Sequence, residues 1–281
     1  MLNLKTFTFE VVTTNNKGSI INKRNQSANY FVEDLGNGVM LEMVEIPAGT
    51  FYMGSPENEE GRLASESPQH QVTVPSFFIG KYPLTQAQYQ AITRNNPAYF
   101  KGSGSTPLTN HRPVECVTWN DAVRFCEKLS QKTGKNYKLP SEAQWEYACR
   151  AGTTTPFYFG ESITPDLVNY DGRRAYADAP TGKYRQQTTD VGSFPPNAFG
   201  LYDMHGNVWE WCEDDWQKNY INAPTNGSAL INLGNMKIVR GGSWNDDPDS
   251  CYSACRGNDF LLSYDYDIGF RVVCSGATRN L

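Results

Sequence analysis

The chain of 281 residues contains no run of lysine and arginine, and its formal net charge is −5. Proteins that bind nucleic acid do so mainly by neutralising phosphates with clustered basic side chains. The sequence also lacks a continuous apolar stretch of the length that a membrane-spanning helix requires. These absences exclude nucleic acid and membrane lipid as expected partners and are typical of a soluble globular protein.

The pattern of the first residues does not predict a signal peptide. The stretch MLNLKTFTFEVVTTNN alternates apolar and polar residues as a strand does, and it has neither a basic region nor a continuous apolar region. We therefore expect a cytoplasmic protein.

Cysteine and histidine are present, but not in metal-binding spacings. The seven cysteines show no C-x-x-C spacing, and in a reducing compartment most of them are expected to be buried thiols. The three histidines, His70, His111 and His205, are widely separated, so their spacing does not indicate a three-histidine iron site.

Short β-like runs between glycine, proline and asparagine turns dominate the chain, and helical patterns are few. One predicted helix, QAQYQAIT, is capped by Thr85. A second has apolar residues at helical spacing and ends at Gly134, and a third opens at Ser141 with a capping box and continues to Gly152. This pattern predicts an α+β protein with few helices, short strands and long loops.

The first 38 residues are the one part that the sequence separates from the rest. They predict a β-hairpin extension with its turn near Asn15 to Gly18, followed by GNG at Gly36 to Gly38. Residues 39–281 then form the main domain.

Seven motifs follow one another in a fixed order: MVEIPAGTFYMGS, HQVTVPSFFIGKYPLTQAQY, RPVECVTWNDAVRFC, YKLPSEAQWEYACRAG, NAFGLYDMHGNVWEWCEDDW, VRGGSW and IGFRVV. Together they resemble the formylglycine-generating, sulfatase-modifying family over roughly residues 40 to 274. The resemblance implies an irregular fold of the C-type-lectin type. Function still has to be argued from the site, because one fold carries many functions.

In the family's enzymes, two cysteines shortly after RGGS bind copper(I) and activate oxygen. The resemblance places the second of these cysteines at Cys251 and the first at Asp246. A hard carboxylate does not replace a soft thiolate as a copper(I) ligand, so we expect no copper here. Cys255 does not restore the pair, because the order of the two cysteines would be inverted.

The family's calcium motif is better preserved. The match to DMHGNVWE implies a calcium site formed by the side chains of Asp203 and Glu210 and the carbonyls of Gly206 and Val208. The alternative is that these acids only cap turns. A second family site would use Asn169, but its carboxylate partner aligns with Lys183, so Asn169 is a doubtful ligand.

Residues 245–267, here called the variable segment, differ in composition from their surroundings. The same fold is used by variable proteins of diversity-generating retroelements, in which copying errors at template adenines change asparagine codons. An AA-pyrimidine codon altered in this way never encodes Lys, Met, Glu, Gln or Trp. Those five types make up 50 of the 281 residues, and the variable segment contains none of them.

The variable segment also has the chemistry of a contact surface. Tyrosines provide rigid amphipathic area, and Asn, Ser and Gly provide adaptable hydrogen bonding, as in an antibody paratope. The aspartates are usually a solvated loop face and, in an interface, would favour a basic partner. The candidate ligand-binding residues are Asn245, Asp246, Asp247, Asp249, Ser250, Tyr252, Cys255, Gly257, Asn258, Asp259, Phe260, Leu261, Leu262, Ser263, Tyr264, Asp265, Tyr266 and Asp267.

The sequence therefore favours a non-catalytic protein that binds an unidentified ligand through the variable segment. Trp244 and the GFRVV run from Gly269 are expected to be buried and to hold it, whereas Phe260, Leu261 and Leu262 are equally compatible with anchoring a partner and with filling the core. Two alternatives remain open. One is an oxidase of the formylglycine-generating type with altered chemistry at Cys251. The other is an accessory module of a larger signalling protein, joined through the N-terminal hairpin.

Overall fold

A computed structural model describes residues 2–101 and 110–278. Its regular structure consists of short strands and three helices, which confirms the predicted α+β class. The strands are β1 (Lys5–Thr14), β2 (Ile20–Gly36), β3 (Val39–Ile46), β4 (Gly49–Met53), β5 (His70–Val74), β6 (Phe77–Gly80), β7 (Lys135–Lys138), β8 (Trp209–Asp215), β9 (Met236–Arg240), β10 (Arg256–Phe260), β11 (Ile268–Gly269) and β12 (Val273–Thr278). The helices are α1 (Gln86–Thr93), α2 (Trp119–Thr133) and α3 (Glu142–Arg150).

The helices begin where the capping residues predict. Thr85, Thr118 and Ser141 each accept a hydrogen bond from a backbone N–H of the first turn, and the side chain of the third residue of each helix accepts in return from the backbone N–H of the capping residue, which completes a capping box. Helix α2 ends at Gly134 in the left-handed conformation, as predicted. Helix α3 stops at Arg150, two residues before the predicted end, because Ala151 already takes the left-handed conformation.

The largest sheet has six strands in the order β1-β2-β3-β6-β12-β7. Strands β1 and β2 form an antiparallel hairpin, and the second half of β2 pairs with β3 from Tyr30 to Gly36. The hairpin is thus continuous with the main sheet, and residue 38 lies in the tight turn between two strands of that sheet.

A four-stranded sheet in the order β10-β9-β8-β11 carries the variable segment. Strand β9 leads into the segment, β10 lies within it, and β11 begins directly after it. Helix α3 packs against β8 and β9 through Trp145, which is fully buried. Long aromatic-rich loops connect α3 to β8. Among the described residues, no helix combines the length and apolar character needed to cross a bilayer.

Candidate binding surface

The two flanks of the variable segment are held in the core. Trp244 is buried, and Phe270 lies in a cluster with Phe125 and Tyr89, with ring centroids 5.5 and 6.2 Å away. The prediction that these flanks anchor the segment is confirmed at both ends.

The middle of the variable segment, residues 251–256, is also buried, and we call it the buried hexapeptide. Tyr252 packs in an aromatic cluster with Phe157 and Tyr170, and its hydroxyl donates to Glu66 and lies 3.2 Å from the carbonyl of Gly61. This corrects the expectation that Tyr252 and Cys255 are displayed. Both side chains fill the core because the chain turns inward after the short 3-10 turn at Pro248–Ser250.

Two buried arginines fix the backbone of the buried hexapeptide. The Arg240 guanidinium donates to the carbonyls of Ser253 and Ala254, each at 2.9 Å, and pairs with Glu146. Arg256 donates to Glu142 through two nitrogens, at 2.7 and 3.0 Å. Burial alone would raise the pKa of Glu142, but the two guanidiniums hold it below its usual value. Each buried charge therefore has an opposite charge in contact, which buried ions require.

The remaining residues, 245–250 and 257–267, form what we call the display surface. Asn245, Asp249, Leu262, Tyr264 and Tyr266 are exposed, and Phe260 is 57% exposed. The sequence is equally compatible with Phe260, Leu261 and Leu262 anchoring a partner or filling the core. The structure places Phe260 and Leu262 at the surface. Leu261 is half-buried and lines the edge of a cavity of about 800 Å³ between α2, β7 and residues 231–235.

Asp246 departs from the expected display. Its carboxylate turns inward, where Oδ2 accepts a hydrogen bond from the Trp209 indole N–H at 2.8 Å and another from the Ser243 hydroxyl. Asp267 is only half-exposed, and the same Ser243 hydroxyl lies 3.1 Å from its Oδ2. Asp246 and Asp267 therefore flank one hydroxyl at the base of the display surface.

Tyr99 and Tyr184 lie outside the variable segment but complete the display surface around the buried Trp244, and sequence reasoning missed both tyrosines. Trp244 stacks on Tyr184 with ring centroids 6.1 Å apart and packs against Tyr266 at 5.6 Å. Tyr99 lies 6.1 Å from Tyr266. Tyr99 follows a short helix and Tyr184 lies in a loop without periodicity, so no local pattern indicates that either one meets residue 266.

Sequence comparison agrees with this architecture. A family model described as "Sulfatase-modifying factor enzyme 1-like domain" matches residues 33–275. The chain belongs to this sulfatase-modifying factor family.

Proteins with different names are similar to this chain. The formylglycine-generating enzyme of Mus musculus is 28% identical in an alignment 285 residues long. The alignment covers 83% of this chain and 74% of the mouse protein. PvdO from Pseudomonas aeruginosa is 35% identical with a TM-score of 0.73, covering 87% of this chain and 97% of PvdO. Treponema denticola variable protein 1 is 26% identical with a TM-score of 0.74, covering 88% of this chain and 99% of that protein. The family thus includes a protein named as an enzyme and one named as a variable protein.

At the two positions where the family's enzymes have copper-binding cysteines, this chain has Asp246 and Cys251. Cys251 is fully buried, and its thiol lies 3.8 Å from the carbonyl oxygen of Asp247. Burial, with nearby carboxylates such as Asp246, raises its pKa well above that of a free thiol. A neutral thiol beside a hydrogen-bonded carboxylate does not provide the two thiolates of a copper(I) site.

The calcium motif of the sulfatase-modifying factor family is present, but its four groups do not fit a cation equally well. Asp203 Oδ1 is buried without a hydrogen-bond partner among the described residues, and burial raises the pKa of this carboxyl to about 6. Such an oxygen suits a hard cation. Glu210 is already paired with Arg271 through two nitrogens at 2.6 and 2.7 Å, and it accepts a hydrogen bond from Trp145 at 2.8 Å.

The other parts of the motif are arranged around the same turn. Gly206 and Val208 are buried in a tight loop, and the carbonyl of Gly206 accepts a hydrogen bond from Val208 N at 3.0 Å. Asn169 Oδ1 is a second buried oxygen without a partner among the described residues. Lys183, which aligns with its expected carboxylate partner, is exposed. No three His, Cys, Asp or Glu side chains within residues 2–101 and 110–278 cluster as a metal site would require.

Proposed function

We propose that this member of the sulfatase-modifying factor family is a non-catalytic protein that binds a macromolecular ligand through the display surface. One observation carries the proposal: the variable segment is divided into a buried hexapeptide fixed by Arg240 and two exposed arms, residues 245–250 and 257–267. A rigid scaffold beneath exposed tyrosine, asparagine and aspartate is suited to recognition. The likeness to Treponema denticola variable protein 1 supports the same proposal.

We further propose that a retroelement diversifies the exposed arms. The absence of Lys, Met, Glu, Gln and Trp from residues 245–267 is what adenine-directed changes to AA-pyrimidine codons produce. Sequencing the 3′ end of the gene across many isolates tests this. Substitutions confined to adenines, beside a reverse-transcriptase gene and a near-identical template copy, are the expected result. Substitutions spread evenly over all four bases would contradict diversification.

The competing proposal is an oxidase that uses Cys251. A sulfatase-motif cysteine peptide incubated with the protein, copper(I) and oxygen should remain unmodified by mass spectrometry, because Asp246 stands where a thiolate is needed and Cys251 is buried. Formylglycine product that disappears in Cys251→Ser would favour the oxidase and overturn the non-catalytic proposal.

The aspartates of the display surface also bear on its ligand. Exposed carboxylates repel phosphate, so nucleic acid and anionic lipid remain unfavoured partners in this proposal. Calcium, held by Asp203, Gly206, Val208 and Glu210, would have a structural role, because Asp203 and Glu210 are buried, whereas a ligand binds at the exposed arms. The cytoplasm remains the proposed compartment.

A further inference from the structure

The display surface carries carboxylates that stand close to one another and make no ion pair within the described part of the chain. Asp246 and Asp267 flank the Ser243 hydroxyl, and burial together with the charge of Asp259 raises the pKa of Asp265. Among the described residues, Asp247 is the only aspartate of the variable segment in an ion pair, with Arg174. Like charges at such distances disfavour joint ionisation. A positive group from outside the chain would relieve that repulsion.

Burial and mutual repulsion act on these carboxyls in the same direction. Burial, followed by the charge of Asp246, raises the pKa of Asp267 to about 6. Burial, followed by Asp259, raises the pKa of Asp265. Asp265 and Asp267 therefore lie in surroundings that disfavour their ionised form until a cation approaches.

An exposed aromatic surface lies beside these acids. Tyr99 is 70% exposed, but its backbone is fixed, because Tyr99 N and Phe100 N donate to the buried Glu115 carboxylate at 2.8 and 2.9 Å. Tyr266, between Asp265 and Asp267 in the chain, lies next to it. An exposed side chain on a rigid backbone loses little conformational freedom when it binds, as interface anchors do.

The protein already shows how such groups bind a cation. The Arg173 guanidinium lies 4.5 Å from the centre of the Tyr184 ring and pairs with Asp171 at 2.9 and 2.6 Å. Tyr184 in turn donates from its hydroxyl to Asn245 Oδ1 at 2.6 Å. One end of the aromatic row, Tyr184-Trp244-Tyr266-Tyr99, thus holds an arginine between a ring face and a carboxylate. At the Tyr266-Tyr99 end, ring faces and carboxylates are present without a cation from the described residues.

We propose that the Tyr99–Tyr266 end of the display surface binds arginine or lysine side chains of a basic peptide segment in a protein partner. The ring faces attract the cation through their quadrupole, and Asp259, Asp265 and Asp267 supply the opposite charge. The inference rests on the proposed ligand-binding function and specifies its partner. It also assigns a role in specificity to Tyr99, which lies outside the variable segment.

Selection of a random-peptide phage library on the immobilised full chain tests this. Enriched peptides should contain arginine and lysine well above their frequency in the input library. A synthetic copy of an enriched peptide should bind about tenfold more weakly to Tyr99→Ala and to Tyr266→Ala. Tyr52→Ala is the matched control, since Tyr52 is a 58% exposed tyrosine on β4 outside the display surface, and it should not change the affinity.

Charge is tested separately from the aromatic contacts. The double variant Asp259→Asn with Asp265→Asn should weaken binding by a similar factor, and added salt should weaken it further in the parent protein. Enriched peptides that need Tyr264 or Leu262 but contain no excess of basic residues would overturn this inference and leave the proposed function standing. If no enriched peptide depends on any residue of the display surface, both proposals are contradicted.

Discussion

The buried hexapeptide and the exposed arm that follows it are neighbours in the same segment and share its restricted composition. Residues 251–256 are enclosed by Arg240, Glu66 and the aromatic cluster around Phe157, whereas residues 257–267 reach solvent with Phe260, Leu262 and three acids. Composition alone does not distinguish them. The difference arises from contacts made by distant parts of the chain. The restricted composition of residues 245–267 therefore indicates a displayed segment but does not indicate which of its residues are exposed.

Breaking the anchor of the buried hexapeptide should have the largest effect. Arg240→Ala leaves Glu146 without its guanidinium partner and several carbonyls without donors, and each kind of loss is costly inside a protein. We expect a loss of about 5 kcal/mol or more in the free energy of unfolding, measured with urea. Arg124→Ala, at an exposed ion pair, should change it by less than about 0.5 kcal/mol. Equal effects of the two variants would contradict the anchoring role.

A pair of phenylalanines tests the contrast between core and surface with the same chemistry. Phe270→Ala removes a fully buried ring and should cost about 3 to 5 kcal/mol in the free energy of unfolding. Phe260→Ala removes a ring that is mostly exposed and should cost within about 0.5 kcal/mol. Urea unfolding of both variants under one condition measures the difference, and a large loss in Phe260→Ala would show that the arm is packed rather than displayed.

The acid pair beneath the display surface gives a smaller, pH-dependent effect. The pKa of Asp267 is about 6 in the folded state, against 3.8 for an aspartate in the unfolded chain. Between these pH values the folded state binds more protons than the unfolded state, so the free energy of unfolding falls as the pH rises through this window. Asp267→Asn should therefore stabilise the protein at pH 7.5, by about 1 to 2 kcal/mol after allowance for solvent screening.

The same gain should shrink as the pH is lowered and disappear below about pH 4, where the native aspartate is protonated as well. Thermal melts of both proteins across this range make the comparison. Asp190→Asn, at an exposed loop position, is the control and should not show this pattern. A gain that is the same at every pH would mean that charge repulsion between Asp246 and Asp267 is not its cause.

The calcium motif should produce a change no larger than that of Asp267→Asn. An ion bound only to the folded state stabilises it by mass action, so calcium should raise the melting temperature by an amount equivalent to about 1 to 2 kcal/mol. Asp203→Asn should remove that increment, because Asp203 Oδ1 is the carboxylate oxygen left without a partner. Glu210 is left unaltered, since its loss would also leave Arg271 unpaired. Identical melts of the parent protein with calcium and with chelator would eliminate the site.

Much of the scaffold could be predicted from local patterns. Thr85 and Ser141 begin helices because capping depends on neighbouring residues, and the glycine and valine residues around Trp244 and Phe270 predict that both side chains are buried. The burial of Tyr252 could not be predicted in this way. It depends on Glu66, which lies 186 positions away, and nothing in the local sequence distinguishes this tyrosine from the exposed Tyr264.

The contributions of Tyr99 and Tyr184 were missed for the same reason. Each reaches the display surface from a loop, and its neighbours there, Tyr266 and Trp244, are distant in the chain. The inward turn of Asp246 depends on the Trp209 indole and the Ser243 hydroxyl, of which only Ser243 is close in sequence. Long-range contacts therefore determine the site more than they determine the helices.

Randomising the two halves of the segment tests the central claim most directly. One library varies six exposed positions, Asn245, Asp249, Leu262, Tyr264, Asp265 and Tyr266, and a second library of equal size varies residues 251–256. Both are sorted for resistance to protease, which reports the folded fraction. We predict that most members of the first library remain folded, because surface substitutions usually change stability little, and that few members of the second do. Equal survival of the two libraries would contradict the division into a buried hexapeptide and a display surface.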